Sequence, residues 1–214
     1  MRTTNFKASY ITILLLGLVL SGCATSPPSQ TDNICEIFRE KSGWYDSALD
    51  AEKRWGMPIA LQMAILRQES RFTADAQPPK KYLFGFIPWG RVSSAYGYTQ
   101  ALDATWDWYR EQTGNSWAGR TNFADAVDFV AWYGDMSKTL ADINPTDGYN
   151  QYLAYHEGHT GFKKGSYKSK PKLLKIARSV EANSIKFEKQ LSECRDEFES
   201  GFWSWIIKLI FSDT

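Results

Sequence analysis

The stretch from 59 to 72, IALQMAILRQESRF, limits the possible folds of this chain more than any other. Pro58 precedes it and suits the first turn of a helix, where a missing N–H costs nothing. From Ile59 to Leu66 the residues are apolar on nearly every face of a helix, apart from Gln62. Because a helix that is apolar all round is normally the buried centre of its domain, the stretch predicts a central buried helix.

Glu69 stands at the end of this predicted helix, on the same stripe as Met63 and Leu66. A carboxylate in that position loses hydration, and the helix C-terminus adds negative partial charge beside it. Both effects favour the protonated form, which a general acid requires. Glu69 is therefore a candidate catalytic acid. The alternative is an exposed glutamate beyond a core helix.

The N-terminus has the pattern of a secretory signal peptide. Two basic residues precede an apolar run at 11–20, which is too short to span a bilayer as a helix. The sequence LSGC at 20–23 resembles the lipobox of bacterial lipoproteins, whose cysteine becomes the lipidated first residue. An ordinary signal peptide containing a cysteine is the alternative. We expect removal of residues 1–22 and lipidation of Cys23. Because no Asp follows Cys23, the resemblance implies an outer-membrane lipoprotein facing the periplasm.

Charge and cysteine content limit the function classes. With 25 basic and 24 acidic residues, the chain lacks the broad positive field expected for nucleic-acid binding. Apart from Cys23, it has Cys35 and Cys194, an even pair in an exported protein, which predicts one disulfide. Its two histidines, His156 and His159, are three positions apart, which does not match the HExxH zinc spacing. No metal or cofactor is expected.

The mature chain is predicted to form one domain. Residues 23–33 are rich in Pro, Ser and Thr and are interpreted as a polar tether. Residues 34–200 are predicted to be the domain, and 201–214 an aromatic C-terminal segment, either an interfacial helix or a final packed segment. The stretch 78–92, PPKKYLFGFIPWGRV, breaks the helical pattern and predicts a hairpin or loop. Its aromatic side chains are expected to line a cleft, touch lipid or pack on the core.

Other helices are predicted from apolar spacing and from cap residues. They are expected over 34–55 (one helix, or two with a break at Gly43), over 103–112, from Asn122, up to a stop at Gly158, and over a long stretch from Pro171. On the last helix Cys194 faces inward, where it can meet Cys35. Residues 163–172 are predicted to be a basic, solvated loop.

Three separated motifs carry the candidate chemistry: ESRF at 69–72, AYGYTQ at 95–100 and AYHEG at 154–158. Their order and content resemble the soluble-lytic-transglycosylase family of lysozyme-like, peptidoglycan-cleaving enzymes. That family shows ES-x-F, a GxxGLMQ-like segment and AYNAG in the same order. The resemblance covers roughly half the chain, about 58–161. It implies a mainly helical domain of the α+β lysozyme-like superfamily that acts as a lytic transglycosylase on peptidoglycan.

The resemblance also implies a role for each residue that matches a motif. Glu69 would be the sole catalytic acid and base, and Ser70 would orient groups near the scissile bond. Gln100 would line the sugar cleft, and Tyr155 would hydrogen-bond near Glu69. Gly97 would allow close backbone approach.

The sequence departs from the family pattern in three places. Tyr98 and Thr99 stand where Leu and Met are usual, and His156 and Glu157 stand where Asn and Ala are usual. The insertion at 78–92 also lengthens the gap after the first motif. Tyr98 and His156 are still expected to contact the substrate. These departures affect the expected contacts with the sugar-binding subsites more than they affect the expected catalytic role of Glu69.

The implied mechanism uses one carboxylate and the substrate's own N-acetyl group, as in substrate-assisted glycosidases. Glu69 would protonate the glycosidic oxygen and then take the proton of the 6-hydroxyl, so that a 1,6-anhydro ring closes without water. A hydrolytic muramidase is one alternative, in which Asp75, Asp103 or Glu157 would serve as a second carboxylate. A non-catalytic peptidoglycan-binding lipoprotein is the other.

Overall fold

The computed structural model describes residues 26–199. The expected signal peptide at 1–22, the lipidation site Cys23 and the aromatic segment at 201–214 lie outside the described residues. Those three interpretations stay predictions. No helix within 26–199 is long and apolar enough to cross a membrane.

The first two helices are separated by a glycine. Helix α1 spans Ile34–Glu40 and helix α2 spans Trp44–Trp55. The side chain of Asn33 caps α1 by accepting hydrogen bonds from two backbone N–H groups of its first turn. Gly43 has a φ of 82°, which lies in the left-handed region that favours glycine and interrupts the helix. The stretch 34–55 therefore forms two helices with a break at Gly43, which is one of the two alternatives predicted from the sequence.

Helix α3, Ile59–Ser70, is the central buried helix, and this prediction is confirmed. Its first eight residues are all buried. The one polar residue among them, Gln62, donates from Nε2 to the carbonyls of Ala48, at 3.1 Å, and Met57, at 2.8 Å. Arg71 ends the helix in a left-handed conformation with a φ of 51°.

A two-stranded antiparallel hairpin follows α3. Strand β1 spans Lys80–Leu83 and strand β2 spans Ile87–Arg91, with Leu83 paired to Ile87. All four residues of β1 are exposed. Of the two forms predicted for 78–92, the structure shows the hairpin.

Two further helices follow the hairpin. Helix α4 spans Asp103–Thr113, and helix α5 spans Phe123–Ala141 and packs against α2. The side-chain oxygen of Asn122 accepts a hydrogen bond from the Asp125 N–H at 3.2 Å, so α5 starts where the sequence predicts.

The region after Gly158 differs in part from the prediction. Helix α6 spans Gly148–Lys164 but is interrupted at Gly158, whose φ of 71° and ψ of 156° are not helical, so that two helical segments meet there at a kink. The expected helix end at Gly158 is therefore confirmed. A 3₁₀ turn at Ser166–Ser169 and helix α7 at Pro171–Glu199 follow. The expected loop at 163–172 is wrong, because these helical elements occupy most of that stretch.

Helix α7 runs beside α3 and α6 and buries the inward stripe that the sequence predicts. The buried residues of that stripe are Leu173, Ala177, Val180, Phe187, Leu191 and Cys194. The expected disulfide between Cys35 and Cys194 is present and joins α1 to α7 across 159 residues. The first and last helices of the domain are thus covalently linked.

Residues 26–33, interpreted from the sequence as a tether, contact the domain. Pro28 is buried, and Ser29 donates from its backbone and its hydroxyl to Glu40, at 2.8 and 2.7 Å. The Arg67 side chain, on α3, donates to the Thr31 carbonyl at 2.9 Å. This part of the segment is therefore fixed to the domain rather than extended away from it.

Changing Cys194 to Ser should lower the melting temperature. Loss of a native disulfide costs about 2 to 5 kcal/mol in small domains, which corresponds to roughly 4 to 20 °C for a chain of this size. Differential scanning fluorimetry measures the shift. The Cys35→Ser/Cys194→Ser double variant is the control, because it also lacks the disulfide and should melt at the same temperature. Equal melting of the wild type and both variants would show that the disulfide adds no stability.

Candidate active site

Glu69 lines a cleft of about 470 Å³, and residues of the second and third motifs line the same cleft. The fold therefore brings together three motifs that are far apart in the sequence. The other lining residues are Ala95, Gln100, Ala101, Leu102, Thr105, Phe129, Tyr133, Tyr155, His156, Glu157 and Gly158.

The surroundings of Glu69 favour its neutral form. Burial raises the pKa of the Glu69 carboxyl from 4.5 to about 7, because the carboxylate cannot be fully hydrated there. The hydroxyl of Tyr152 faces the carboxylate and opposes this shift by stabilising the charged form. A side chain that opens onto the cleft and titrates near neutrality can both give and take a proton.

Tyr152 and Tyr155 divide the role that the sequence assigned to Tyr155 alone. The Tyr155 hydroxyl donates to the carbonyl of Thr99 at 2.7 Å, so it braces the second motif. Burial raises the pKa of the Tyr155 hydroxyl, and the nearby negative charge of Glu69 raises it further. Tyr152 is the residue whose hydroxyl lowers the pKa of Glu69, and the Glu69 charge in turn adds to the rise that burial causes in the pKa of Tyr152. Because the two tyrosines are three positions apart on α6, they share one helix face.

Gln100 lines the cleft and also supports the loop that forms it. Its Nε2 donates to the carbonyls of Ala76 and Gly97, each at 2.9 Å. Its backbone has a φ of 51°, an uncommon value for a residue with a side chain. Its side-chain N–H groups therefore hold the backbone of the cleft wall.

Gly97 allows the close backbone approach that the motif implies. A Cβ at this position would lie 2.1 Å from the carbonyl oxygen of Arg120, and the φ of Gly97 is +74°. The N–H of Tyr98 donates to the same Arg120 carbonyl at 3.1 Å. The close approach at Gly97 is thus between two segments of the protein backbone, one at Gly97 and one at Arg120.

Two residues expected to contact the substrate do not line the cleft. Tyr98 is 2% exposed and packs edge-on against Trp44 and Phe123, at ring distances of 5.8 and 5.7 Å. Ser70 is also buried, and its hydroxyl donates to the Leu66 carbonyl of its own helix at 3.2 Å. Tyr98 fills core space between α2 and α5, so the expected contact of its side chain with the substrate needs correction.

The three alternative carboxylates differ in position. Asp75 is exposed and Asp103 pairs with Arg120 at 2.6 Å, and neither lines the cleft. Glu157 does line it, beside His156, whose Nδ1 lies 3.1 Å from the Glu157 carboxylate.

Glu157 stays ionised at neutral pH. Lys170 contacts its two carboxylate oxygens at 2.7 and 2.9 Å, and the Ser166 hydroxyl donates to one of them. These contacts lower the pKa of Glu157 to about 2. The cleft therefore contains Glu69, a carboxyl that binds a proton near neutral pH, together with Glu157, a carboxylate that is charged at neutral pH.

The family comparison agrees with this geometry. The model of a family described as a transglycosylase SLT domain matches residues 11–194. The chain belongs to this family. A search of the curated proteins finds no match. The family and the helical architecture together indicate that the chain forms a single lysozyme-like SLT domain. The family supports a lytic transglycosylase activity on peptidoglycan.

Several residues of the SLT site were not found from the sequence. Tyr152 could have been found, because it lies three positions before Tyr155 and therefore on the same helix face. Phe129 and Tyr133 are four positions apart on α5, a spacing that buried core residues share, so it did not distinguish a cleft wall from the core. Their rings contact Tyr155 at 6.2 and 5.3 Å.

Proposed function

We propose that this SLT domain cleaves the MurNAc–GlcNAc bond of peptidoglycan and leaves 1,6-anhydro-MurNAc ends. The observation that carries the proposal is the position of Glu69, which lines the cleft with residues of the other two motifs while burial raises its pKa to about 7. A carboxyl that is protonated in part at neutral pH can give its proton in the first step, and the carboxylate so formed can act as the base of the second step.

In the first step, protonated Glu69 gives its proton to the glycosidic oxygen and the C1–O bond breaks. The N-acetyl carbonyl oxygen of the same MurNAc stabilises the positive charge at C1. In the second step, ionised Glu69 takes the proton of the 6-hydroxyl, and that oxygen bonds to C1. Glu69 is protonated again, and no water is consumed.

Hydrolysis by an inverting route would need a second carboxylate to activate water on the opposite face of the sugar ring. Glu157 is the other carboxylate that lines the cleft. With a pKa of about 2 and contacts to Lys170 and Ser166, it is a weak base whose oxygens are already engaged. Since a general base works best with a pKa near the operating pH, Glu157 does not suit this role.

Product analysis tests the proposal. Purified peptidoglycan is digested in heavy-oxygen water, and the released muropeptides are analysed by mass spectrometry. A transglycosylase gives anhydro products that lack one water and carry no label at C1. Labelled reducing ends would show hydrolysis, and binding without release would show a non-catalytic protein. The Glu157→Gln variant should give the same anhydro product as the wild type.

The Tyr152→Phe variant should shift the pH dependence of activity. The Tyr152 hydroxyl stabilises the Glu69 carboxylate, so its removal raises the pKa of Glu69 further. Activity falls as the general acid loses its proton, and the alkaline limb of the kcat profile should therefore move to higher pH. Tyr155→Phe is the control, because it loses a bond to the Thr99 carbonyl instead and should leave the limb in place. If the alkaline limb of the kcat profile were unchanged in Tyr152→Phe, the Tyr152 hydroxyl would not stabilise the Glu69 carboxylate.

We also propose that Cys23 is lipidated and anchors the domain to the outer membrane. The support is the LSGC sequence at 20–23. Incorporation of labelled palmitate by the wild type, and its loss in Cys23→Ala, is the test. A wild type that takes up no palmitate and fractionates as soluble material would overturn the anchor.

A further inference from the structure

The hairpin at 80–91, here called the aromatic hairpin, exposes an unusual amount of apolar surface. Among the described residues, eleven large hydrophobic side chains are exposed, and seven of them lie between 82 and 92. They are Tyr82, Leu83, Phe84, Phe86, Ile87, Trp89 and Val92. A contiguous exposed patch of this kind marks an interaction surface, whereas singly scattered apolar residues need no explanation.

The turn of the hairpin holds its aromatic residues outward. Phe84 is 80% exposed and Phe86 is 73% exposed, on either side of Gly85. Phe84 has a φ of 53°, in the left-handed region that a bulky residue rarely occupies, and Gly85 has a φ of 83°. A strained aromatic residue at the point of greatest exposure indicates a functional tip rather than a packing element.

The charges around the tip have one sign. Lys80, Lys81 and Arg91 stand at the open end of the hairpin, and no acidic residue occurs between Asp75 and Asp103. Both lysines are exposed. None of the three basic residues forms an ion pair within the part of the chain that the structure describes. The hairpin therefore presents an apolar tip with unpaired positive charge behind it.

This combination matches the interface of an anionic bilayer. Aromatic side chains are enriched at the depth of the lipid headgroups, and lysine and arginine are attracted to acidic phospholipids. We propose that the aromatic hairpin inserts its tip into an anionic phospholipid bilayer, with its basic residues at the phosphate level.

A glycan strand is a weaker match for the same surface. Aliphatic side chains such as Leu83 and Ile87 have no ring face on which a sugar can stack. No residue of the hairpin lines the cleft around Glu69. The bilayer accommodates both the aliphatic and the aromatic side chains, because any apolar surface gains by leaving water.

The expected lipid anchor would hold the domain near a membrane. Ser26, the first described residue, is three positions after Cys23, and 26–33 contact the domain. Three extended residues reach roughly 10 Å. A lipid on Cys23 would therefore keep the domain close to the membrane surface. The hairpin proposal itself does not depend on that lipid.

Position-specific labelling tests the insertion. In the full chain carrying Cys23→Ser, with the Cys35–Cys194 disulfide intact, a fluorophore is attached through Phe84→Cys. The matched control carries it through Ile185→Cys, an exposed apolar site on α7. Vesicles contain phosphatidylglycerol and a lipid with a nitroxide quencher in its acyl chain. Quenching at 84 and not at 185 is expected. Equal quenching at both sites, or none at 84, would overturn the proposal.

Binding to vesicles and to sacculi then distinguishes a lipid surface from other partners that the hairpin could bind. Phe84→Ser/Phe86→Ser/Trp89→Ser should weaken binding to phosphatidylglycerol vesicles by at least about tenfold. The matched control, Trp117→Ser/Leu140→Ser/Ile185→Ser, removes three exposed apolar side chains elsewhere and should bind like the wild type. Lys80→Gln/Lys81→Gln should reduce the preference for anionic over phosphatidylcholine vesicles. If the hairpin variant loses binding to purified sacculi while vesicle binding is unchanged, the surface binds glycan and the proposal is wrong.

Discussion

Glu69→Gln should reduce muropeptide release by about 10⁴-fold or more while the protein remains folded. General acid–base catalysis contributes about 10²- to 10⁴-fold where a group serves one step, and Glu69 serves both steps here. Glutamine has the size and the hydrogen-bonding capacity of the acid but cannot exchange a proton. Release of anhydro-muropeptides from purified peptidoglycan measures the loss.

The stability of the same variant should move in the opposite direction. The pKa of Glu69 is about 7 in the folded protein against a reference value of 4.5. Between these two values the folded state binds more protons than the unfolded state, so stability falls as pH rises through this window. Glutamine has no such dependence. Glu69→Gln should therefore equal the wild type at acidic pH and melt at a higher temperature at alkaline pH.

Asp75→Asn is the control, because it removes an exposed carboxylate that does not line the cleft. It should keep both the activity and the melting temperature of the wild type. If Glu69→Gln instead lost stability and its activity fell only in proportion to the folded fraction, Glu69 would be a structural residue. A folded Glu69→Gln protein that releases product at the wild-type rate would rule out the mechanism.

The features predicted correctly from the sequence depend on local or periodic signals. Helix α3 is apolar on almost every face, and a helix of that composition has to be buried wherever the rest of the chain lies. Cys35 and Cys194 are the two cysteines left in the predicted mature chain, and each lies on an inward stripe, so their pairing follows from the count and the spacing. Neither prediction required knowledge of a distant contact.

The helical turns that follow Gly158 were not predicted from the sequence. The helix that begins at Gly148 stops at Gly158 as predicted, but the chain turns there and continues in a second helical segment. Beyond the kink, Gly161 lies close to Ser166 and Glu157, where an added Cβ would come within 3.1 and 3.2 Å of their side chains. That packing involves the 3₁₀ turn, which the local pattern does not specify.

Tyr98 illustrates the limit of motif matching. Its position in the second motif suggested a substrate contact, because the family has leucine there in a segment that borders the cleft. Its environment is set by Trp44 on α2 and Phe123 on α5, which stack on each other at 3.6 Å and leave room for the tyrosine ring between the helices. A motif gives the order of residues along the chain, whereas tertiary packing decides which side of the backbone meets solvent.

Gly97→Ala should cost about 2 to 5 kcal/mol of folding free energy. Placing alanine in the left-handed region costs about 1 to 2 kcal/mol. The new Cβ would also lie 2.1 Å from the Arg120 carbonyl oxygen, a backbone atom that cannot rotate away. Overpacking of this kind adds about 1 to 3 kcal/mol.

Gly114→Ala separates the two contributions. Gly114 has a φ of +70°, close to the +74° of Gly97, but nothing lies within 4 Å of an added Cβ. It should therefore show the backbone cost alone. Denaturant unfolding of both variants measures the difference in lost free energy, which is the steric cost of the added methyl group against the Arg120 carbonyl. If the two variants lose the same free energy, the backbone conformation alone requires the glycine. If Gly97→Ala loses more, the approach to Arg120 also requires it. In that case, relief of the clash should displace Gln100 and Ala101 in the cleft wall and lower activity even in the fraction that remains folded.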